Sequence, residues 1–192
     1  MATNVSLQLF GALLLFLALQ PSESLLNHGM FHLVCNHSSP DRSPKWNNLQ
    51  LSYGLQFDSP PPAGLNFRQV IDAIDAAFKT WQPVLPRLVF RKVRGVGGGV
   101  NVLVYVNAGP LVPSDPFMKL VFVNVTVNWS TGLSPAGNQL DMQSAVVHEV
   151  GHVLGLGHSQ SPDAVMYHVL DYGRIKRNLS QDDITGLQNL YG

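Results

Sequence analysis

Apolar and polar residues alternate without a miss through Leu49, Leu51, Tyr53, Leu55 and Phe57, the period-two pattern of a half-buried strand. The proline-rich stretch at 58–64 breaks this pattern, and the period then changes. Val70, Ile71, Ile74, Phe78 and Trp81 recur at helical spacing, Asn66 with Gln69 three residues later predicts a capping box, and Pro83 and Pro86 predict the helix end. Apolar runs at 88–93 and 100–106 predict two further strands, separated by a glycine run at 95–99. Alternation returns over 119–129, with Val121, Val123, Val125 and Val127 on one face and Asn124, Thr126 and Asn128 on the other. A helix is expected over 140–154, stopping at Gly155, and a closing helix carries Ile184, Leu187 and Leu190 behind a Ser180–Asp183 cap. The order strand, helix, strands, helix, helix predicts one α/β or α+β domain over residues 44–192.

Upstream of that domain, residues 10–19 form an apolar run too short to cross a bilayer, followed by the small residues Ser22 and Ser24. Residues 1–24 are therefore expected to be a signal peptide, although no Lys or Arg precedes the run, and 25–43 a short pro-segment or linker without sustained period. The mature chain is expected to be secreted, extracellular and monomeric, with no anchor after Gly192. Composition narrows the partners. Twelve basic and twelve acidic residues cancel, so no net field points to nucleic acid or an anionic membrane. A single cysteine, Cys35, excludes a disulfide-stapled scaffold. Only two glutamates occur, Glu23 in the leader and Glu149, so the mature chain keeps one.

That glutamate lies inside the predicted helix at 140–154, in the string HEVGHVLGLGH at 148–158. His148 and His152, at i and i+4, lie one above the other on a helix face and can grip one metal ion. Glu149 sits about 100° further round, within reach of a water on that metal. Gly155 accepts positive φ and lets the chain turn sharply, so that His158 can return as a third ligand. Three protein ligands with an open fourth position are the arrangement of a catalytic zinc site.

The string at 148–159 resembles the zinc signature of the metzincin metallopeptidases, and more narrowly of the matrix metalloproteinases, or matrixins. Ala164-Val165-Met166-Tyr167 resembles that family's Met-turn, and residues 179–192 its closing helix. Lys45-Trp46, the strand after them and the helix ending at Trp81 resemble the start of its catalytic domain, with plant-type members most similar. The resemblance implies a metzincin fold: a twisted, mostly parallel, five-stranded sheet backed by an active-site helix and a C-terminal helix, with one zinc in a cleft below. It implies Met166 as a hydrophobic floor under the metal, and Asp182 and Asp183 tying the closing helix to that floor and to the mature N-terminus; from the residues alone Asp183 is a helix cap and Asp182 a first-turn acid that favours the helix dipole. It also implies a secreted endopeptidase acting on extended peptides or proteins. Glu149 would be the catalytic base, and a pocket walled by His148 and the loop at 168–178 would accept leucine-like side chains after the cleaved bond. His168 stands where the family has proline and is read as a loop histidine.

Other departures are equally specific. Matrixins hold a structural zinc and calcium ions ahead of the active-site helix. Here residues 101–147 contain no histidine and only Asp115 and Asp141 as acids, so the structural zinc is expected to be absent and calcium to lack carboxylates. The pro-segment is far shorter than the family's; Cys35 is read as a vestigial unpaired cysteine, with a latency ligand as the alternative because a thiolate ligates zinc. Asn36, Asn124, Asn128 and Asn178 each open an N-glycosylation sequon. The departures leave a second reading beside the peptidase: a secreted, glycosylated, zinc-binding module that binds peptides without turnover.

Overall fold

The computed structural model describes residues 30–32, 45–94, 100–107 and 119–192. The leader at 1–24, Cys35, Asn36 and the glycine run at 95–99 lie outside the described residues. In chain order the elements are β1 (Met30–His32), β2 (Gln50–Phe57), α1 (Phe67–Trp81), β3 (Val89–Lys92), β4 (Val102–Asn107) and β5 (Lys119–Asn124), then β6 (Trp129–Ser130), β7 (Leu140–Asp141), α2 (Met142–Val153), β8 (Val169–Asp171) and α3 (Gln181–Tyr191).

The main sheet has four strands in the order β3-β2-β4-β5, every pair parallel. Parallel neighbours need a crossover, and α1 supplies it between β2 and β3. The architecture is the α+β fold expected from the sequence; among the described residues the sheet stops at four strands rather than five. The alternation of β2 sends Leu51 and Tyr53 into the core, where Tyr53 stacks on Phe78 of α1 with ring centroids 4.0 Å apart. Phe78 also meets Phe90 of β3 edge-on at 4.9 Å. The helix begins as its sequence requires: the Asn66 side chain accepts from the Gln69 N–H and the Gln69 side chain accepts from the Asn66 N–H. α1 buries Val70, Ile74, Ala77 and Trp81 and packs against α2. Trp81 joins the two helices by a hydrogen bond from its indole N–H to Val147 O at 2.8 Å.

Two expectations are corrected. The strand over 119–129 ends at Asn124, because the Asn124 Oδ1 accepts from both the Thr126 N–H and the Thr126 hydroxyl and turns the chain. The valine period continues across that turn without a strand beneath it. The helix over 140–154 starts two residues later, since Asp141 is its N-cap and Leu140–Asp141 pairs in parallel with Trp129–Ser130. Within the segment read as a linker without period, Met30–His32 is a short strand antiparallel to Val169–Asp171; three residues are too few to show a period.

Candidate metal centre

α2 is buried on nearly every face, and its ends are closed by different devices. At its start the Asp141 carboxylate accepts from the Ser144 N–H at 2.9 Å. At its end Gly155 has φ of +102°, the Gly155 N–H donates to His152 O, and the Leu156 N–H reaches back to Gly151 O. This pair of bonds around a left-handed glycine is a Schellman stop. The C-terminal carbonyls of Val153 and Leu154 accept from the Trp46 indole and the Tyr191 hydroxyl, at 2.8 and 2.7 Å. The turn at Gly155 brings His158 back to the other two histidines, as its sequence position requires.

One ligand atom from each of His148, His152 and His158 falls within a cluster no wider than 4.8 Å. His148 and His152 are buried and His158 is exposed, so the cluster is open to solvent on one side. The His148 Nδ1 lies 2.7 Å from Val165 O and the His152 Nδ1 lies 2.8 Å from Leu156 O. A carbonyl only accepts, so both Nδ1 atoms carry the proton and both Nε2 atoms present lone pairs. Those Nε2 atoms stand 3.0 Å apart. Two lone pairs converging on one point, with a third imidazole beside them, fit a zinc ion with its fourth position open. Burial is the main cause that pushes the His148 pKa down to about 3, with the neighbouring His152 adding to it. The imidazole is thus neutral, the form a metal requires.

α3 holds the segment that carries Val165 and Met166. The buried Asp183 carboxylate accepts from the Val165 and Met166 N–H groups at 2.9 and 3.0 Å, and from the Ser180 N–H and hydroxyl at 2.7 and 2.8 Å. One side chain therefore caps the helix and holds the Met-turn whose Val165 carbonyl orients His148. Asp182, expected to complement the helix dipole, also accepts from the hydroxyl of Ser159, the residue after His158, at 2.5 Å. Met166 is 2 % exposed and lies against α2 at Gly151, where an added Cβ would stand 2.2 Å from its sulfur and 2.9 Å from Trp81. Glu149 is half-buried on α2 beside His148. His168 is half-buried, with its ring 6.1 Å from that of His158.

Two groups escaped the sequence reading. Gly151 is required by close packing, and a glycine in mid-helix between two ligands was the available signal. The buried pair Asp141–Arg177 joins residues 36 apart, and no local pattern announces it. Of the sequon asparagines, Asn128 and Asn178 are exposed, while Asn124 is half-buried in its turn.

A family model described as Matrixin matches residues 122–192. Metalloendoproteinase 5-MMP of Arabidopsis thaliana is 46 % identical over 63 residues, covering 33 % of this chain and 18 % of that protein. Human matrilysin is 32 % identical over 177 residues, covering 83 % of this chain and 63 % of that protein. Rat stromelysin-2 is 32 % identical over 170 residues, covering 78 % and 33 %. The chain spans less than two thirds of the length of each of these relatives.

Proposed function

Since the chain belongs to the matrixin family, we propose that it is a secreted zinc-dependent endopeptidase that hydrolyses peptide bonds of extracellular proteins. The observation that carries this reading is the convergence of His148, His152 and His158 within 4.8 Å, with the Nδ1 protons of the first two committed to carbonyls. When bound, zinc supplies Lewis acidity to the attacking water and to the scissile carbonyl. The chain does the rest. His148 and His152 hold their rings in one tautomer through Val165 O and Leu156 O. Glu149 takes the proton of the attacking water and delivers it to the leaving amine. Met166, held by Asp183 through its backbone N–H, shields the centre from below. The names metalloendoproteinase, matrilysin and stromelysin borne by the relatives support the same activity.

The wider proposal is a monomer that takes extended peptide or protein substrates, with leucine-like residues after the cleaved bond. In it the structural zinc is absent, Cys35 is a candidate latency ligand, and Asn36, Asn124, Asn128 and Asn178 are candidate N-glycosylation sites. No described helix is long and apolar enough to cross a membrane. The test is to express the chain from residue 25, measure zinc per molecule, and assay a quenched peptide with and without a chelator. Chelator-sensitive cleavage with one zinc per chain is expected. One zinc without turnover would establish the peptide-binding module instead, and no zinc would overturn both.

A further inference from the structure

The loop between β8 and α3 is fastened to the start of α2 by bonds that the mechanism above does not use. The Asp141 side chain is fully buried, and the Arg177 side chain is 15 % exposed. The Arg177 Nε donates to Asp141 Oδ2 at 2.8 Å and its Nη2 to Oδ1 at 2.5 Å, a two-pronged pairing. The same Nη2 donates to Gly132 O at 2.7 Å and Thr131 O at 3.2 Å. Next to it the Lys176 N–H donates to Ser144 Oγ at 2.7 Å, and that hydroxyl donates to Asp141 Oδ2 at 2.6 Å. At the loop's near end the Gly173 N–H donates to Gln139 O at 2.8 Å; its φ is +70°, and a Cβ there would stand 3.2 Å from Gly137 Cα. Ile175 stands between these anchors, 39 % exposed.

The other end of this segment lies at the metal centre. The Val165 carbonyl holds the His148 ring, and the ring of His168 lies 6.1 Å from that of His158. Residues 165–177 therefore touch α2 at His148 and again at Ser144 and Asp141, running along its first two turns. On the peptidase reading, a substrate side chain beside His148 would meet this stretch as a wall, and the segment's distance from the helix there is set by where it is fastened. Only a guanidinium has the fork to serve both carboxylate oxygens and two carbonyls at once; an ammonium is a point charge. A carboxylate removed from water also holds its cation firmly, because separating them leaves a buried charge.

We propose that Arg177 is the positioning residue that fixes this wall, so that the choice of the side chain following the cleaved bond depends on the Arg177–Asp141 pair. The proposal rests on the peptidase reading above. It is tested on the zinc-loaded chain and its Arg177→Lys, Arg177→Ala and Asp141→Asn/Arg177→Gln variants. The double variant is included because Arg177→Ala leaves Asp141 buried without its cation and endangers folding. Quenched peptides differing only in Ala, Leu or Phe after the scissile bond give kcat and KM, and the same peptides are titrated onto each form carrying Glu149→Gln.

The Leu-over-Ala preference should flatten by about tenfold, chiefly through KM, with zinc still at one per chain. Amide exchange at Gly173 and Lys176 should quicken while that in the body of α2 does not. A folded variant whose loop exchange quickens but whose Leu-over-Ala ratio is unchanged overturns the proposal, as does an equal fall in kcat for all three peptides. If the wild type holds zinc and cleaves none of the peptides, the peptidase reading fails by itself. The affinities then decide the role of Arg177: flattening supports it, unchanged ratios overturn it, and a wild type that binds none of the peptides overturns it as well.

Discussion

The two halves of the molecule are held together by different chemistry. From β2 to β5 the structure is apolar packing: Tyr53 stacked on Phe78, Phe78 against Phe90, and the valines of β4 and β5 buried in parallel register. From β7 to α3, buried polar groups do the positioning, with Asp141, Asp183, His148 and His152 each committed to named partners. The family match begins at residue 122 and so falls almost wholly on the second half. Packing is tolerant of which apolar residue fills a space, whereas a carboxylate serving several donors, or an imidazole held in one tautomer, has no substitute. Damage to the first half should therefore cost stability alone, and damage to the second should cost the metal centre as well.

Asp183→Ala is the largest test of that contrast. It leaves the Val165 and Met166 N–H groups buried without their acceptor, at about 1–3 kcal/mol each. Chemical denaturation should register that loss, and competitive chelation should show weakened zinc in the molecules that remain folded. Phe78→Ala, in the apolar half, should cost a comparable 3–5 kcal/mol or so by cavity formation. Its folded fraction should nonetheless hold zinc as tightly as the wild type. Weakened zinc in both variants would erase the distinction between the halves.

Gly151→Ala sharpens the boundary, since Gly151 is where Met166 and Trp81 both press on α2. Alanine favours a helix by about 1 kcal/mol, but overpacking against Trp81 and the Met166 sulfur costs about 1–3 kcal/mol. A net loss is expected, partly restored by Met166→Ala in the same chain; additivity of the two substitutions in thermal unfolding would refute the contact. The smallest effect belongs to Asn66→Ala, which removes the α1 capping box for about 1 kcal/mol and should leave zinc untouched.

How far the sequence disclosed this depends on the range of each interaction. The capping box of α1, the ligand spacing 148, 152 and 158, the stop at Gly155 and the Ser180 cap are all local, and each is found as its residues foretell. The end of β5 was hidden because the valines keep their period through a turn dictated by a side-chain hydrogen bond from Thr126 to Asn124. The Asp141–Arg177 pair was hidden for another reason: on sequence alone, each of the twelve basic residues is equally a partner for that acid. Asp183 shows a middle case. Its cap is legible from Ser180, but its grip on Val165 and Met166 exists only once α3 packs under the Met-turn.

The central claim is that three histidines hold zinc and Glu149 moves the proton. The most direct measurement is of zinc content and peptide turnover in Glu149→Gln. One zinc per chain is expected, with turnover reduced by about 100-fold or more, the range of general acid–base catalysis. A Glu149→Gln protein that holds its zinc and still cleaves at the wild-type rate would contradict it.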